Sequence, residues 1–140
     1  MDNGNLNLLR QVVEEGFGNA DLYVIDQIMS DQLVEHQYGL HGGKEGLKKA
    51  ILSLAEAFSD RIYKLVRHAT DGNMVWVHYR YSAVHTGPFM GHAPTHKKIA
   101  IDVMDIAKIE DGKITEHWGV PDRFAVMMQL GFIEPTKNKI

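Results

Sequence analysis

The sequence predicts one α+β domain over residues 1–140: helices first, then a curved antiparallel sheet, with a pocket between them. Two observations carry that class. Apolar residues recur at helical spacing up to Phe58, and beyond Arg61 they alternate in runs rich in Val, Tyr and Trp. The later strands are joined mainly by tight turns, so neighbours pair antiparallel and the helices gather on one face.

The first helix places Leu6, Leu9, Val12, Val13 and Phe17 on one face, and Gly16 and Gly18 end it. Asp21 caps a short second helix carrying Leu22, Ile25, Ile28 and Met29, closed by Ser30-Asp31. Leu33 to Tyr38 alternates like a strand, and Gly39 to Gly43 is a loop. The third helix buries Leu47, Ile51, Leu54, Ala55 and Phe58. Strands follow at Arg61–Thr70, Met74–Val84, Ile99–Ile109 and Lys113–Val120. Asp71-Gly72-Asn73 and Asp111-Gly112 are turns, because Gly accepts positive φ and Asp or Asn tolerates it. Thr86 to Pro94 is a loop; Pro121 opens a last helix, and Gly131 stands at its C-cap. A sheet this long twists and curls.

Composition narrows the function. The net charge is −3 with histidines neutral and no basic block is present, so nucleic acid is not an expected partner. The absence of cysteine removes disulfides, thiolate catalysis and cysteine-ligated metals. The N-terminus shows no basic region followed by an apolar run, and no membrane span is visible, so the expected compartment is the cytoplasm. Eight histidines direct attention to acid–base chemistry near neutral pH.

Strand parity sorts the candidates. On Ile99–Ile109, Asp105 shares a face with Ile101, Val103 and Ala107, while Asp102 shares the other with Met104, Ile106 and Lys108. Asp105 therefore enters the more apolar environment, which favours a neutral carboxyl able to donate a hydrogen bond to an oxyanion. On Met74–Val84, Trp76, His78, Arg80 and Ser82 share one face, and Val75, Val77, Tyr79, Tyr81 and Ala83 share the other. The second set is taken as the outward face, apolar enough to need covering in a dimer. His36 and His78 are candidate bases. His117 and Trp118 point to opposite faces, so at most one of them reaches the cavity. His41, His68 and His85 read as solvated loop or strand-end residues. His92 and His96 are four apart, but Pro94 between them argues against a helical metal site.

A set of motifs is more specific. Glu35-His36, Gly43-Lys44-Glu45-Gly46-Leu47, Thr86-Gly87-Pro88-Phe89-Met90-Gly91, Pro94-Thr95, Ile109-Glu110-Asp111-Gly112-Lys113-Ile114, Glu116-His117-Trp118, Asp122 and Gln129-Leu130-Gly131 together resemble the SnoaL-like polyketide cyclases and their ester-cyclase relatives. The likeness covers nearly the whole chain. His96, where Gly usually follows Pro-Thr, and Lys108, where Arg is usual, depart from the pattern. The resemblance implies an NTF2-like cone, a homodimer, and ring closure by intramolecular aldol condensation without cofactor or metal. Ketosteroid isomerases share that fold more distantly. Asp105 looks like their protonated oxyanion-hole acid, and His36 like the position of their catalytic base.

The expected function is a cofactor-independent acid–base enzyme acting beside a carbonyl of a small hydrophobic substrate, by cyclisation or isomerisation. Asp105, His36 and His78 are the expected catalytic residues. Phe17, Trp76, Phe89, His117 and Trp118 are the expected pocket residues. The alternative is a non-catalytic ligand-binding or dimeric scaffold protein of the same fold. Another reaction in the same pocket, such as epoxide hydrolysis, ranks third, because Asp102 and Asp105 fall on opposite faces and cannot hold one water together.

Overall fold

The structure is a computed structural model that describes residues 4–134. Met1 to Asn3, part of the stretch read above for a leader, lie outside the described residues. Helix α1 (Gly4–Gln11) runs on into a wider π-helical segment, Val12–Phe17. That segment ends where the Gly18 N–H donates to the Val13 carbonyl at 2.9 Å. Helix α2 (Leu22–Ile28) starts at Asp21, whose carboxylate accepts from the N–H groups of Tyr23 and Val24, as the sequence predicts. Strand β1 (Met29–Glu35), helix α3 (Gly43–Ala57) and strands β2 (Phe58–Asp71), β3 (Met74–His85), β4 (Lys98–Glu110) and β5 (Lys113–Pro121) follow, then helix α4 (Arg123–Gln129). No helix among the described residues is long and apolar enough to cross a membrane.

The five strands form one sheet in the order β1-β5-β4-β3-β2. All pairings are antiparallel except β1 with β5, which is parallel. Helix α3 causes that exception by carrying the chain from β1 to the opposite edge, where β2 begins. The meander then returns to β1 at its last strand. The helices lie over one face of the sheet. Leu9, Val12, Ile25, Leu47 and Ile51 from the helices, with Val75, Tyr79, Ala107 and Ile114 from the sheet, are fully buried between them. Burial of each larger apolar side chain contributes about 1.5–3 kcal/mol.

Three expectations change at this level. The set Val75, Val77, Tyr79, Tyr81 and Ala83 faces inward, and Trp76, His78 and Arg80 face outward. Val77 pairs with Asp105, and directly paired residues share a face. The helices need an apolar partner, and the Val–Tyr face is the one that supplies it. Pro121 ends β5 instead of opening a helix; Asp122 is the N-cap of α4, its carboxylate accepting from the Ala125 N–H at 3.0 Å. His85 is fully buried, not solvated, because β3 extends to it on the inward face and Thr95 folds back to hydrogen-bond its ring.

Candidate active site

The inward residues of β4 run Ile99, Ile101, Val103, Asp105, and the pocket lies along them. Phe17 from the π segment, Leu54 from α3, Phe58 and Tyr63 from β2, Tyr81 from β3 and Phe89 from the loop complete most of an apolar wall. Polar groups in that wall are few: Asp105, Gln37, Arg123 and the two tyrosine hydroxyls. A mostly apolar cleft with a few convergent polar groups is the usual form of a small-molecule site.

Asp105 is 5% exposed. Beside it lies His117, fully buried, with Nε2 at 3.7 Å from Asp105 Oδ2. That separation makes an ion pair and not a hydrogen bond. On its other side, His117 Nδ1 donates to the Glu35 carboxylate at 2.8 Å. Burial alone would push the imidazole down, but the nearby Asp105 carboxyl and the hydrogen-bonded Glu35 carboxyl outweigh it and hold His117 up at about 10. At neutral pH His117 is therefore a buried imidazolium, placed between Glu35 and Asp105.

Backbone shape brings these groups together. Asp105 pairs with Gly119 across the β4–β5 ladder. A Cβ at Gly119 would stand 2.2 Å from Gln37 Oε1 and 3.0 Å from Asp105 Oδ1. Glycine there leaves the room in which the Gln37 amide reaches Asp105's end of the pocket. The Tyr63 and Tyr81 rings lie tilted by 32° with centroids 4.3 Å apart. Neither hydroxyl has a hydrogen-bond partner among the described residues. Burial, aided by Tyr81 and Asp105, pushes Tyr63 well above its ordinary range, and burial raises Tyr81 to about 12. Both stay protonated and can donate.

The expected residues divide cleanly. Asp105, Phe17 and Phe89 line the pocket, and His117 lies directly behind Asp105. His36 does not enter: it is exposed, with Nε2 2.8 Å from Glu116 and its ring stacked on Trp118 at 4.6 Å. His78 is on the outer face, 2.8 Å from Asp102, and Trp76 is outside with it. Trp118 is also outside, so of the adjacent pair His117-Trp118 it is the histidine that reaches the interior. Glu35, Gln37, Tyr63, Tyr81 and Arg123 were not anticipated. A signal for Glu35 was present: it shares parity with buried Leu33, which turns His36 outward. Among the described residues, no group of three or more His, Asp or Glu is arranged to hold a metal ion.

Comparison with known proteins places the chain in a family. The model of the SnoaL-like polyketide cyclase family matches residues 7–130. The aklanonic acid methyl ester cyclase of Streptomyces sp. (strain C5) is 27% identical over 137 residues, covering 94% of this chain and 84% of that one. The nogalonic acid methyl ester cyclase of Streptomyces nogalater is 25% identical over 114 residues, covering 81% and 84%. The solved structure of TsrD from Streptomyces laurentii superposes with a TM-score of 0.84 at 22% identity, covering 95% of this chain and 99% of that one, which is a likeness of fold. The chain belongs to the SnoaL-like polyketide cyclase family and has its NTF2-like α+β fold.

Proposed function

We propose that this protein closes a ring in a polyketide-like substrate by intramolecular aldol chemistry, with Asp105 as the acid–base residue and no cofactor. The carrying observation is a buried carboxylate that lines an apolar pocket and is backed by a buried imidazolium at 3.7 Å. In this proposal Asp105 acts as proton acceptor first and returns the proton afterwards.

Asp105 takes the proton α to one carbonyl, leaving an enolate. The enolate carbon attacks a second carbonyl of the same molecule, forming the new C–C bond, and the resulting alkoxide recovers the proton from Asp105. Atoms and electrons balance with no oxidant or reductant. The Tyr63 and Tyr81 hydroxyls and the Gln37 amide are the donors available to the developing oxyanions. His117 and Glu35 act as positioning residues, because an imidazole held at about 10 keeps its proton through a neutral-pH cycle.

Aklanonic acid methyl ester and nogalonic acid methyl ester, named for the relatives, are the first substrates to try. Conversion by wild type, with Asp105→Ala slower by about 10²–10⁴-fold, is the expected result. Undiminished conversion by Asp105→Ala overturns the assignment. If a ligand stabilises both proteins and neither converts it, the non-catalytic binding role takes its place.

Homodimerisation belongs with this reading. The Val–Tyr face of β3 packs inside, and the outer face carries Trp76, Met104 and Val120 exposed. Trp76→Lys with Met104→Lys is expected to lower the mass measured by light scattering from dimer to monomer. A wild type that is monomeric at high concentration removes the dimer from the proposal.

A further inference from the structure

Arg123 is a cation in the wall of an apolar pocket with no anion of its own among the described residues. Its guanidinium sits 5.3 Å over the centroid of Phe89, and Nη1 points to Met90 Sδ at 3.8 Å. Arg10 and Arg80 each meet a carboxylate, and Arg61 donates to the Phe17 carbonyl. Among the described residues, Arg123 meets only a ring face and a thioether. Its neighbour Asp122 turns away to cap α4. Burial lowers the pKa of Arg123 without any compensating charge. A half-buried guanidinium in an apolar wall, with no carboxylate partner among the described residues, is a costly arrangement that a bound anion would relieve.

Its position along the pocket matters. Asp105 pairs with Gly119, and Pro121 pairs with Val103, one inward residue further along β4. Arg123 follows Pro121, so it is displaced from Asp105 toward the Ile101 and Ile99 end. The inward run from Asp105 to Ile99 spans six residues, up to roughly 20 Å of strand. A fused-ring ligand lying along it would have its reacting carbonyl at Asp105 and its far edge near Arg123.

We propose that Arg123 is a specificity-determining residue that binds a carboxylate on the end of the substrate away from Asp105, so that the pocket prefers a free acid there over its methyl ester. The planar guanidinium fork matches a carboxylate in two parallel hydrogen bonds, which a neutral ester cannot reproduce. The proposal rests on the cyclase reading for the pocket's use, but its test needs no turnover.

The probes are anthraquinone-2-carboxylate and its methyl ester, titrated calorimetrically at pH 7.5 into wild type, Arg123→Met and Arg123→Lys. Wild type is expected to bind the acid at least about tenfold more tightly than the ester. Arg123→Met, which keeps an apolar stem against Phe89, is expected to erase that difference while still binding the ester. Arg123→Lys keeps the charge without the fork and is expected to retain part of it. Equal binding of the two ligands, tighter binding of the ester, no binding of either by wild type, or a preference that survives in Arg123→Met overturns the proposal. If Arg123→Met binds neither ligand, Arg123→Lys decides: weaker acid binding with unchanged ester binding supports the assignment, and any other result overturns it. Failure here leaves the Asp105 turnover test standing, and failure there leaves this binding difference standing.

Discussion

Four residues on or beside neighbouring strands make two Glu–His contacts of the same length and different meaning. Glu35 meets His117 at 2.8 Å on the inner face, and His36 meets Glu116 at 2.8 Å on the outer face. The strands are parallel and Glu35 is in register with His117, so each adjacent Glu–His sequence sends one member to each side. The inner side chains are 0% and 2% exposed, and the outer ones 37% and 30%. Residue type, distance and strand are alike; solvent is not. In water a pair of this kind contributes little, because hydration already satisfies both charges. Away from water each partner depends on the other, and losing one strands the other at several kcal/mol. The proposed chemistry is assigned to the inner face for that reason.

The sharpest way to break the comparison is at the inner acid. Asp105→Ala is expected to cost about 10²–10⁴-fold in turnover with ligand binding retained, whereas Asp102→Ala, on the same strand but outside, is expected to leave turnover unchanged. Equal losses in the two variants would mean that the face is irrelevant.

Stability gives the next largest effect. His117→Leu leaves the Glu35 and Asp105 carboxylates buried without their cation, and is expected to lose about 3–5 kcal/mol in urea unfolding. The sign with pH follows from a folded pKa of about 10 against an ordinary 6.5. A raised value stabilises the fold fully below pH 6.5, and that contribution is lost as pH climbs through about 10. The wild-type urea midpoint should therefore fall across this window, and that of His117→Leu should not. A flat wild-type profile would place the imidazole in its neutral form.

Gly119→Ala tests the close approach beneath the site. Its new Cβ would collide with the end of the flexible Gln37 side chain, which can swing away. The expected result is a turnover loss of about tenfold at nearly unchanged stability, since one hydrogen-bonding group near Asp105 is displaced. The smallest effect belongs to the outer pair: His36→Ala is expected to change stability by less than about 1 kcal/mol and turnover not at all.

Much of this was legible in the residues. Four helices and five strands appear in the predicted order, and the Asp111-Gly112 turn has the positive φ angles, 50° and 74°, that those residue types favour. The inward position of Asp105 is legible because β4 alternates without interruption from Ile99 to Ile109. The same rule, anchored on Leu33, turns Glu35 inward and His36 outward. His117 was a different matter. Lys108 pairs with Glu116 and Ile109 with Ile114, so β5 carries one extra residue at Thr115. This bulge reverses the alternation, and Ile114 and His117, three apart, are both buried. Strict period-two counting from Ile114 would have put Trp118 inside.

The sequence by itself determined the element order, the family, and the presence of one acid on an apolar strand face. These depend on local pattern and turn chemistry, which neighbouring residues encode. The tertiary structure decided which face of β3 is inner, which histidine is buried, and that Glu35, His117 and Asp105 converge. Those outcomes depend on how strands pair and where helices pack, so they join residues up to 82 positions apart. The same packing excludes the water that would otherwise weaken the charges of His117 and its two carboxylates.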